Sequence, residues 1–164
     1  MRGVTNSIIA ILLCALQTTV FDKIDFFGTR PNLLLAFTVC VALLYGSVEG
    51  GGIGLLCGVM TDVMGYGAFG INSLMLMYIG IGVGLVSKRF YRIEGIVAFA
   101  FSFASTFTYG IVYFFFAFFI WGNGSMWFAF SRRILPESIY TSFMAVLLVI
   151  MLKHINNRFF VREA

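Results

Sequence analysis

Charged side chains are scarce in this chain of 164 residues: only 11% are Asp, Glu, Lys or Arg, and 60% are hydrophobic. A soluble domain carries about 25% charged and about 45–50% apolar residues, so the surplus of apolar surface here must face something other than water. Lipid is the environment that accepts such a surface. The composition therefore predicts one integral membrane domain over residues 1–164.

Residue types that carry catalysis and metal binding are also rare. His154 is the single histidine and has no second ligand beside it, which argues against a zinc or haem site. No Ser/His/Asp or Cys/His set can be assembled around it. The chain also lacks the G-x-x-x-x-G-K-[ST] loop that binds nucleotide phosphates. We therefore expect no enzyme activity, no cofactor and no metal.

The cysteines and the basic residues fit the same class of protein. Cys14, Cys40 and Cys57 each lie in an apolar run without a C-x-x-C pair, which predicts buried free thiols. The net charge of +4 comes from basic residues at the ends of apolar runs, where they flank membrane spans. No basic stripe interleaved with aromatic residues lies outside those runs, so we expect contact with lipid and none with nucleic acid.

Hydrophobic segmentation predicts an all-α membrane protein, a compact bundle of about six transmembrane helices. A spanning helix needs about 20 apolar residues. The predicted helices cover roughly residues 5–21, 31–45, 48–64, 71–87, 95–121 and 137–153. The second segment is short, and the glycine-rich run from Tyr45 to Gly52 predicts a tight turn after it.

Positive charge orients the bundle without fixing the number of helices. Six helices place the N-terminus in the cytoplasm, and five place it outside, and both arrangements obey the positive-inside rule. In both, the Lys88–Arg92 loop and the C-terminus are cytoplasmic and the Asp62–Gly70 loop is outside. We favour six helices and a cytoplasmic N-terminus.

Regularly spaced glycines form the strongest pattern in the chain. Residues four apart lie on one face of a helix, and small residues there let two helices touch backbone to backbone. This spacing predicts either a docking face for a partner's membrane helix or close packing inside the bundle. The glycines in question are Gly46, Gly50, Gly54, Gly58, Gly80 and Gly84.

Asp62 follows Gly58 by four residues and so continues the spacing of Gly46, Gly50, Gly54 and Gly58, which we call the glycine ladder. An acid near the membrane boundary is costly unless it is paired, which makes it a candidate contact for a substrate, an ion or a partner. The alternative is a carboxylate that binds the glycine-rich turn and caps the fourth helix. Asn72, which follows Gly70, is predicted to be an N-cap of that helix.

The order of these motifs resembles the MreD family of rod shape-determining proteins, most clearly over residues 31–90. The resemblance rests on Pro31-Asn32-Leu33-Leu34-Leu35, Tyr45-Gly46, Glu49-Gly50, Gly54, Gly58, Asp62, Gly67, Gly70, Gly80, Gly84 and Lys88-Arg89-Phe90, with Leu135-Pro136 and Tyr140 later. The chain departs from the family pattern in having Asn32 where Asp is more frequent, and Thr141 where Asn is more frequent.

The resemblance implies a non-catalytic scaffold of the cell-wall elongation complex in the bacterial inner membrane, where it maintains rod shape. The implied partners are the single-span protein MreC, the actin-like filament MreB, the synthase RodA and penicillin-binding protein 2. The family's bundle is also similar to the substrate-binding S components of energy-coupling-factor vitamin transporters. That similarity implies an alternative function with an outward pocket, whose few polar candidates are Asp62, Asn72, Tyr66, Tyr109 and Gln17.

Overall fold

Six α-helices and no strand make up the parts of the chain that the computed structural model describes, which are residues 2–17, 19, 32–63, 70–87, 95–121 and 135–160. This confirms the predicted all-helical bundle. The helices are α1 (Arg2–Leu16), α2 (Leu33–Tyr45), α3 (Ser47–Val63), α4 (Ile71–Ser87), α5 (Gly95–Trp121) and α6 (Leu135–Phe160).

The first and last helices differ most from the predicted segments. The α-helix of α1 begins at Arg2 and ends at Leu16, whereas the apolar segment was expected to cover residues 5–21. Helix α6 begins at Leu135 and continues to Phe160 instead of ending at Lys153. The difference in α6 arises because the end of an apolar run marks where a membrane span ends, and a helix can continue into water beyond that point.

Helix α2 forms the centre of the bundle. All of its residues from Leu33 to Leu43 are buried, and it packs against each of the other five helices. Its N-terminus is capped by Asn32, whose side-chain oxygen accepts a hydrogen bond from the N–H of Leu35 at 3.0 Å. Uniformly apolar residues suit this position because every face of the helix meets protein.

A single residue separates α2 from α3. Gly46 has φ = 94°, a backbone conformation that favours glycine, and its N–H donates to the carbonyl of Ala42 at 3.0 Å. The turn is shorter than the predicted glycine-rich run because Ser47 to Gly52 already belong to the first turns of α3.

Helices α5 and α6 run antiparallel and pack through an aromatic contact. The rings of Phe99 and Phe143 meet edge to face with centroids 5.6 Å apart. Near the start of α5, a Cβ atom at Gly95 would lie 3.4 Å from Val146. These two contacts fix the relative height of the two longest helices of the bundle.

Two helices in the described part of the chain are long and apolar enough to cross a membrane, through Gly95–Phe116 of α5 and Leu135–His154 of α6. Shorter apolar stretches lie at Ser7–Leu16, Leu33–Tyr45 and Ile71–Ser87. Large apolar side chains cover the outside of five helices, among them Ile96, Phe115, Phe143 and Leu147. Such a surface suits lipid, and six membrane crossings stay a prediction.

Candidate functional site: the glycine seam and a buried polar cluster

Glycines bring the backbones of α3 and α4 into direct contact. A Cβ atom at Gly54 would lie 2.4 Å from the carbonyl oxygen of Leu76, and one at Gly58 would lie 2.3 Å from the Cα of Ser73. A Cβ at Gly80 would lie 2.2 Å from the carbonyl oxygen of Gly50. Real side chains do not approach this closely, so only glycine fits at these positions. We call this contact, with Gly84, the glycine seam.

The seam also includes the central helix. A Cβ atom at Gly50 would lie 2.5 Å from the Cβ of Ala42, and one at Gly54 would lie 3.0 Å from the methyl group of Thr38. At the other end of α4, a Cβ at Gly84 would lie 2.4 Å from the Cα of Ser47. The structure therefore places Gly50, Gly54, Gly58, Gly80 and Gly84 inside the bundle, between α2, α3 and α4.

Gly46 does not share this role, although it fits the spacing of the ladder. It lies in the turn before α3, and nothing lies within 4 Å of a Cβ atom placed on it. The positive φ of Gly46 explains why a glycine occupies this turn. Gly52 and Gly82 also have open space where a Cβ would be, and they lie on the outer faces of α3 and α4. A partner interface at the glycine ladder stays a prediction.

Asp62 lies at the end of α3 and binds the first turn of α4. It is only 5% exposed, and its Oδ2 accepts a hydrogen bond from the backbone N–H of Ser73 at 3.1 Å and a second from the Ser73 hydroxyl. The carboxylate thus meets the positive end of the α4 dipole and satisfies a helix N–H that has no intrahelical partner. Asp62, at the end of α3, therefore caps the start of α4.

Asn72 is the second polar residue of the cluster. It is fully buried, and its Oδ1 accepts a hydrogen bond of 2.6 Å from the hydroxyl of Tyr109 on α5. Gly70, with φ = 95°, immediately precedes α4, so Asn72 lies inside the helix and is not its N-cap as the sequence predicted. The ring of Tyr109 stacks on that of Tyr113, with centroids 6.0 Å apart.

Replacement of Tyr109 by phenylalanine removes this hydrogen bond and little else. We expect a loss of about 1 kcal/mol in the free energy of unfolding, because a buried amide oxygen loses a donor while the ring keeps its packing. Thermal unfolding in mild detergent measures the change, and Tyr113→Phe, on a more exposed neighbour, is the matched control. Equal stability of Tyr109→Phe and the wild type would contradict the role of the hydroxyl.

A second polar group lies at the start of α2. The N–H of Asn32 donates to the hydroxyl of Thr141 on α6 at 3.1 Å, and both residues are buried. The N–H of Leu34 donates to the side chain of Gln17 at 3.3 Å. These bonds satisfy helix donors that would otherwise lie unpaired in an apolar interior. The two positions at which the chain departs from the family pattern are thus in contact with each other.

Polar residues from both ends of the sequence therefore gather at one end of the bundle, where α2, α4 and α6 begin and α3 ends. Sequence reasoning named Asp62, Asn72, Tyr109 and Gln17 but missed Ser73 and treated Thr141 only as a departure. Ser73 carried a usable signal, because a serine in the first turn of a helix is a natural partner for an acid that ends the preceding one.

Some predicted residues lie outside the described parts of the chain: Tyr66, Gly67, Pro31 and the Lys88–Arg92 loop. Within the parts that are described, no group of three or more His, Cys, Asp or Glu residues is arranged to hold a metal ion. Cys40 and Cys57 are buried and Cys14 is half-buried, and the three form no disulfide with one another.

Comparison with known families supplies the decisive observation. The family model for rod shape-determining protein MreD matches residues 2–159. The chain belongs to the MreD family. Membership assigns this MreD-family chain to a family of membrane proteins with a role in determining rod shape. No curated protein and no solved structure matches the chain significantly.

The glycine seam and the polar cluster around Asp62 and Asn72 are the two structural features that this MreD-family chain presents. The glycine seam joins α3 and α4 to the central helix. Asp62, Ser73, Asn72 and Tyr109 tie the end of α3 and the start of α4 to the middle of α5, and the bond from Asn32 to Thr141 ties the start of α2 to α6. Neither feature contains a nucleophile activated by a base or an arrangement of acid and base groups aimed at a common point. The glycine seam and the polar cluster hold the helices at fixed relative positions.

Proposed function

We propose that this MreD-family chain is a non-catalytic scaffold subunit of the bacterial cell-wall elongation complex. It crosses the inner membrane six times, with both termini in the cytoplasm, and holds MreC in the complex with MreB, RodA and penicillin-binding protein 2. The observation that carries the proposal is the family match over nearly the whole chain.

The chemistry of the described residues is consistent with a scaffold. Two pairs of polar side chains bind each other inside the bundle, Asp62 with Ser73 and Asn72 with Tyr109. A rigid bundle with an apolar outer surface offers lipid and partner helices a fixed shape. Partner helices in a membrane pack by shape and van der Waals contact, so a rigid surface favours specific binding.

The glycine seam faces the inside of the bundle, so a larger side chain in the seam cannot test for a partner interface. A leucine at Gly54 would strike the backbone of Leu76, so that variant would report damage to the fold and not the loss of a partner. The outward-facing Gly52 has open space around it, and Gly52→Leu tests the outer face of α3 while the fold is kept. Partner contacts are therefore expected among outward-facing residues.

Affinity purification of the tagged protein from its native membrane, followed by mass spectrometry, tests the proposal. We expect recovery of an MreC-like protein together with the RodA and penicillin-binding protein 2 pair, in excess over an unrelated multi-pass protein with the same tag. Cells that lack the gene should become round and regain rod shape when the wild-type chain is expressed.

The vitamin-transporter alternative makes a different prediction for the same experiment. An S component would co-purify with a pair of transport ATPases and their coupling membrane subunit, and cells without it would keep their shape. An S component also needs polar groups that converge on a ligand, whereas Asp62 and Asn72 are bound to residues of the bundle itself. Recovery of the ATPase pair would overturn the scaffold proposal.

A further inference from the structure

A shallow groove runs along the outer side of the α3–α4 pair. It has a volume of about 410 Å³ and begins at Ser47, the first residue of α3. Its walls are apolar, and the hydroxyl of Ser47 is the one polar side-chain group among its described lining residues. We call this feature the α3–α4 groove. It is lined by Ser47, Val48, Gly51, Gly52 and Leu55 on α3 and by Met77 and Ile81 on α4.

Two adjacent glycines give the α3–α4 groove its depth. A Cβ atom at Gly52 would have nothing within 4 Å, and one at Gly51 would lie 2.7 Å from Cγ1 of Ile81, which forms the opposite wall. Neither glycine is part of the glycine seam. The floor of the groove is therefore backbone alone, and a side chain at position 52 would fill the groove without striking the rest of the bundle.

The α3–α4 groove is open to the surroundings of the bundle. Val48 is 87% exposed, Leu55 is 42% exposed, and Gly52 is exposed as well. No helix in the described part of the chain covers these residues. In the multi-pass arrangement proposed above, the surroundings are hydrocarbon, so the occupant of the groove is apolar.

The length of the α3–α4 groove matches one leaflet of a bilayer. Leu55 lies eight residues after Ser47, which is about 12 Å at a rise of 1.5 Å per residue. Half of a hydrocarbon core of about 30 Å is about 15 Å. A partner's membrane helix crosses both leaflets and is about 10–12 Å across with its side chains. The groove is too short and too small for such a helix, so its dimensions favour an acyl chain.

Positive charge follows in the sequence at the end of the groove that Ser47 forms. A Cβ atom at Gly84 would lie 2.4 Å from the Cα of Ser47, so this end of α3 is level with the last turn of α4, which ends at Ser87. The sequence continues directly with Lys88-Arg89. Glu49, the acid in the first turn of α3, is not among the residues that line the groove. Basic residues at the cytoplasmic surface attract anionic headgroups, which therefore suit this end of the groove.

We propose that the α3–α4 groove binds one acyl chain of an anionic phospholipid from the cytoplasmic leaflet. The acyl chain lies over Gly51 and Gly52, between Leu55 and Ile81, and the headgroup lies at the level of Ser47. This inference rests on the multi-pass arrangement and the orientation proposed above. It adds a lipid partner that a scaffold function does not by itself require.

Native mass spectrometry of the purified full chain counts bound lipids and tests the proposal. The protein is stripped of lipid in mild detergent and titrated with palmitoyl-oleoyl phosphatidylglycerol, which is anionic, or with phosphatidylcholine that carries the same acyl chains. Gly52→Leu fills the groove. Gly82→Leu is its matched control, because a Cβ atom at Gly82 also has nothing within 4 Å but lies outside the groove.

A second pair of variants changes the polarity of the groove instead of its volume, and it keeps the test valid if Gly52→Leu does not fold. Leu55 lines the groove and is 42% exposed, whereas Leu56 is 40% exposed and is not among the lining residues. Leu55→Ser and Leu56→Ser therefore remove similar apolar side chains, and only the first removes one from the groove.

We expect the wild type to hold one phosphatidylglycerol more tightly than any further lipid and more tightly than phosphatidylcholine. Gly52→Leu should lose this lipid, and Gly82→Leu should keep it. Leu55→Ser should weaken its binding about tenfold, because part of an apolar wall becomes polar, and Leu56→Ser should leave the binding unchanged.

Equal binding of phosphatidylglycerol by the wild type and Gly52→Leu, or equal effects of the two leucine substitutions, would overturn the proposal. Equal affinity of the wild type for the two lipids would overturn it as well. If Gly52→Leu kept the lipid but no longer recovered the MreC-like protein in affinity purification, the groove would hold a partner, and the lipid proposal would fail while the scaffold function stood. Since lipid binding is measured on the purified chain, a wild type that recovers no partner would refute the scaffold function alone.

Discussion

Gly80→Ala is expected to destabilise the bundle severely, whereas Gly82→Ala, at the next glycine of the same helix, leaves it folded. A Cβ atom at position 80 would lie 2.2 Å from the carbonyl oxygen of Gly50 and 2.6 Å from its carbonyl carbon. These are backbone atoms, so no side chain can turn away to make room. Overpacking of a well-packed core costs about 1–3 kcal/mol and occasionally more, and a clash with backbone belongs at the upper end of that range.

Gly82→Ala provides the control because nothing lies within 4 Å of a Cβ atom there. Alanine is a better helix former than glycine by up to about 1 kcal/mol, so this variant should be as stable as the wild type or slightly more stable. The yield of monodisperse protein in mild detergent, measured by size-exclusion chromatography after heating, compares the three proteins. Similar melting temperatures for the two variants would mean that α3 and α4 are not in backbone contact.

Asp62→Ala should have the second largest effect, a loss of about 2 kcal/mol in the free energy of unfolding. The variant removes a helix cap and leaves the backbone N–H of Ser73 without an acceptor in a partly buried position. Asp62→Asn keeps an oxygen that can accept the same bond, so it should retain a substantial part of the stability. Unfolding in mixed micelles measures all three proteins.

A double-mutant cycle with Ser73→Ala examines the contact itself. Ser73 donates through both its backbone and its hydroxyl, so Ser73→Ala removes only one of two bonds and should cost less than Asp62→Ala. Residues in direct contact show coupling energies of about 0.5–3 kcal/mol, whereas distant residues add independently. Thr141→Val, at the other polar group, is the distant control. Strict additivity of Asp62→Ala and Ser73→Ala would contradict the cap.

Much of the fold could be predicted from the sequence because the helices are punctuated by local signals. Gly46, Gly70 and Asn32 mark the ends of helices through conformational freedom and capping, which depend on neighbouring residues alone. The spacing of Gly50, Gly54 and Gly58 likewise places them on one helix face. Spacing alone could not say whether that face meets a partner or a neighbouring helix of the same chain.

The central position of α2 was not predictable for a physical reason. In a membrane protein, both lipid-facing and protein-facing positions are apolar, so a helix of Leu, Val, Ala and Phe carries no pattern that distinguishes a buried centre from a lipid-facing edge. Only the shortness of Leu33–Tyr45 set it apart. Its burial depends on contacts with all five other helices, which no local signal encodes.

The polar contacts were only partly predictable because their partners are distant in the sequence. Asn72 and Tyr109 are separated by 37 residues, and Asn32 and Thr141 by 109. Each polar side chain was recognisable as unusual in an apolar environment, and an unusual residue of this kind needs a partner. Which partner it finds is decided by how the helices are arranged in three dimensions.

The buried central helix constrains how the protein can be made. At 13 residues, α2 is about 20 Å long, too short to cross a bilayer as an independent span during synthesis. The one-residue turn at Gly46 joins it to α3, so the two helices form a hairpin. The start of α2 also binds α6, which lies far along the chain, through the hydrogen bond from Asn32 to Thr141. The surroundings of the start of α2 are therefore complete only after α6 has been synthesised.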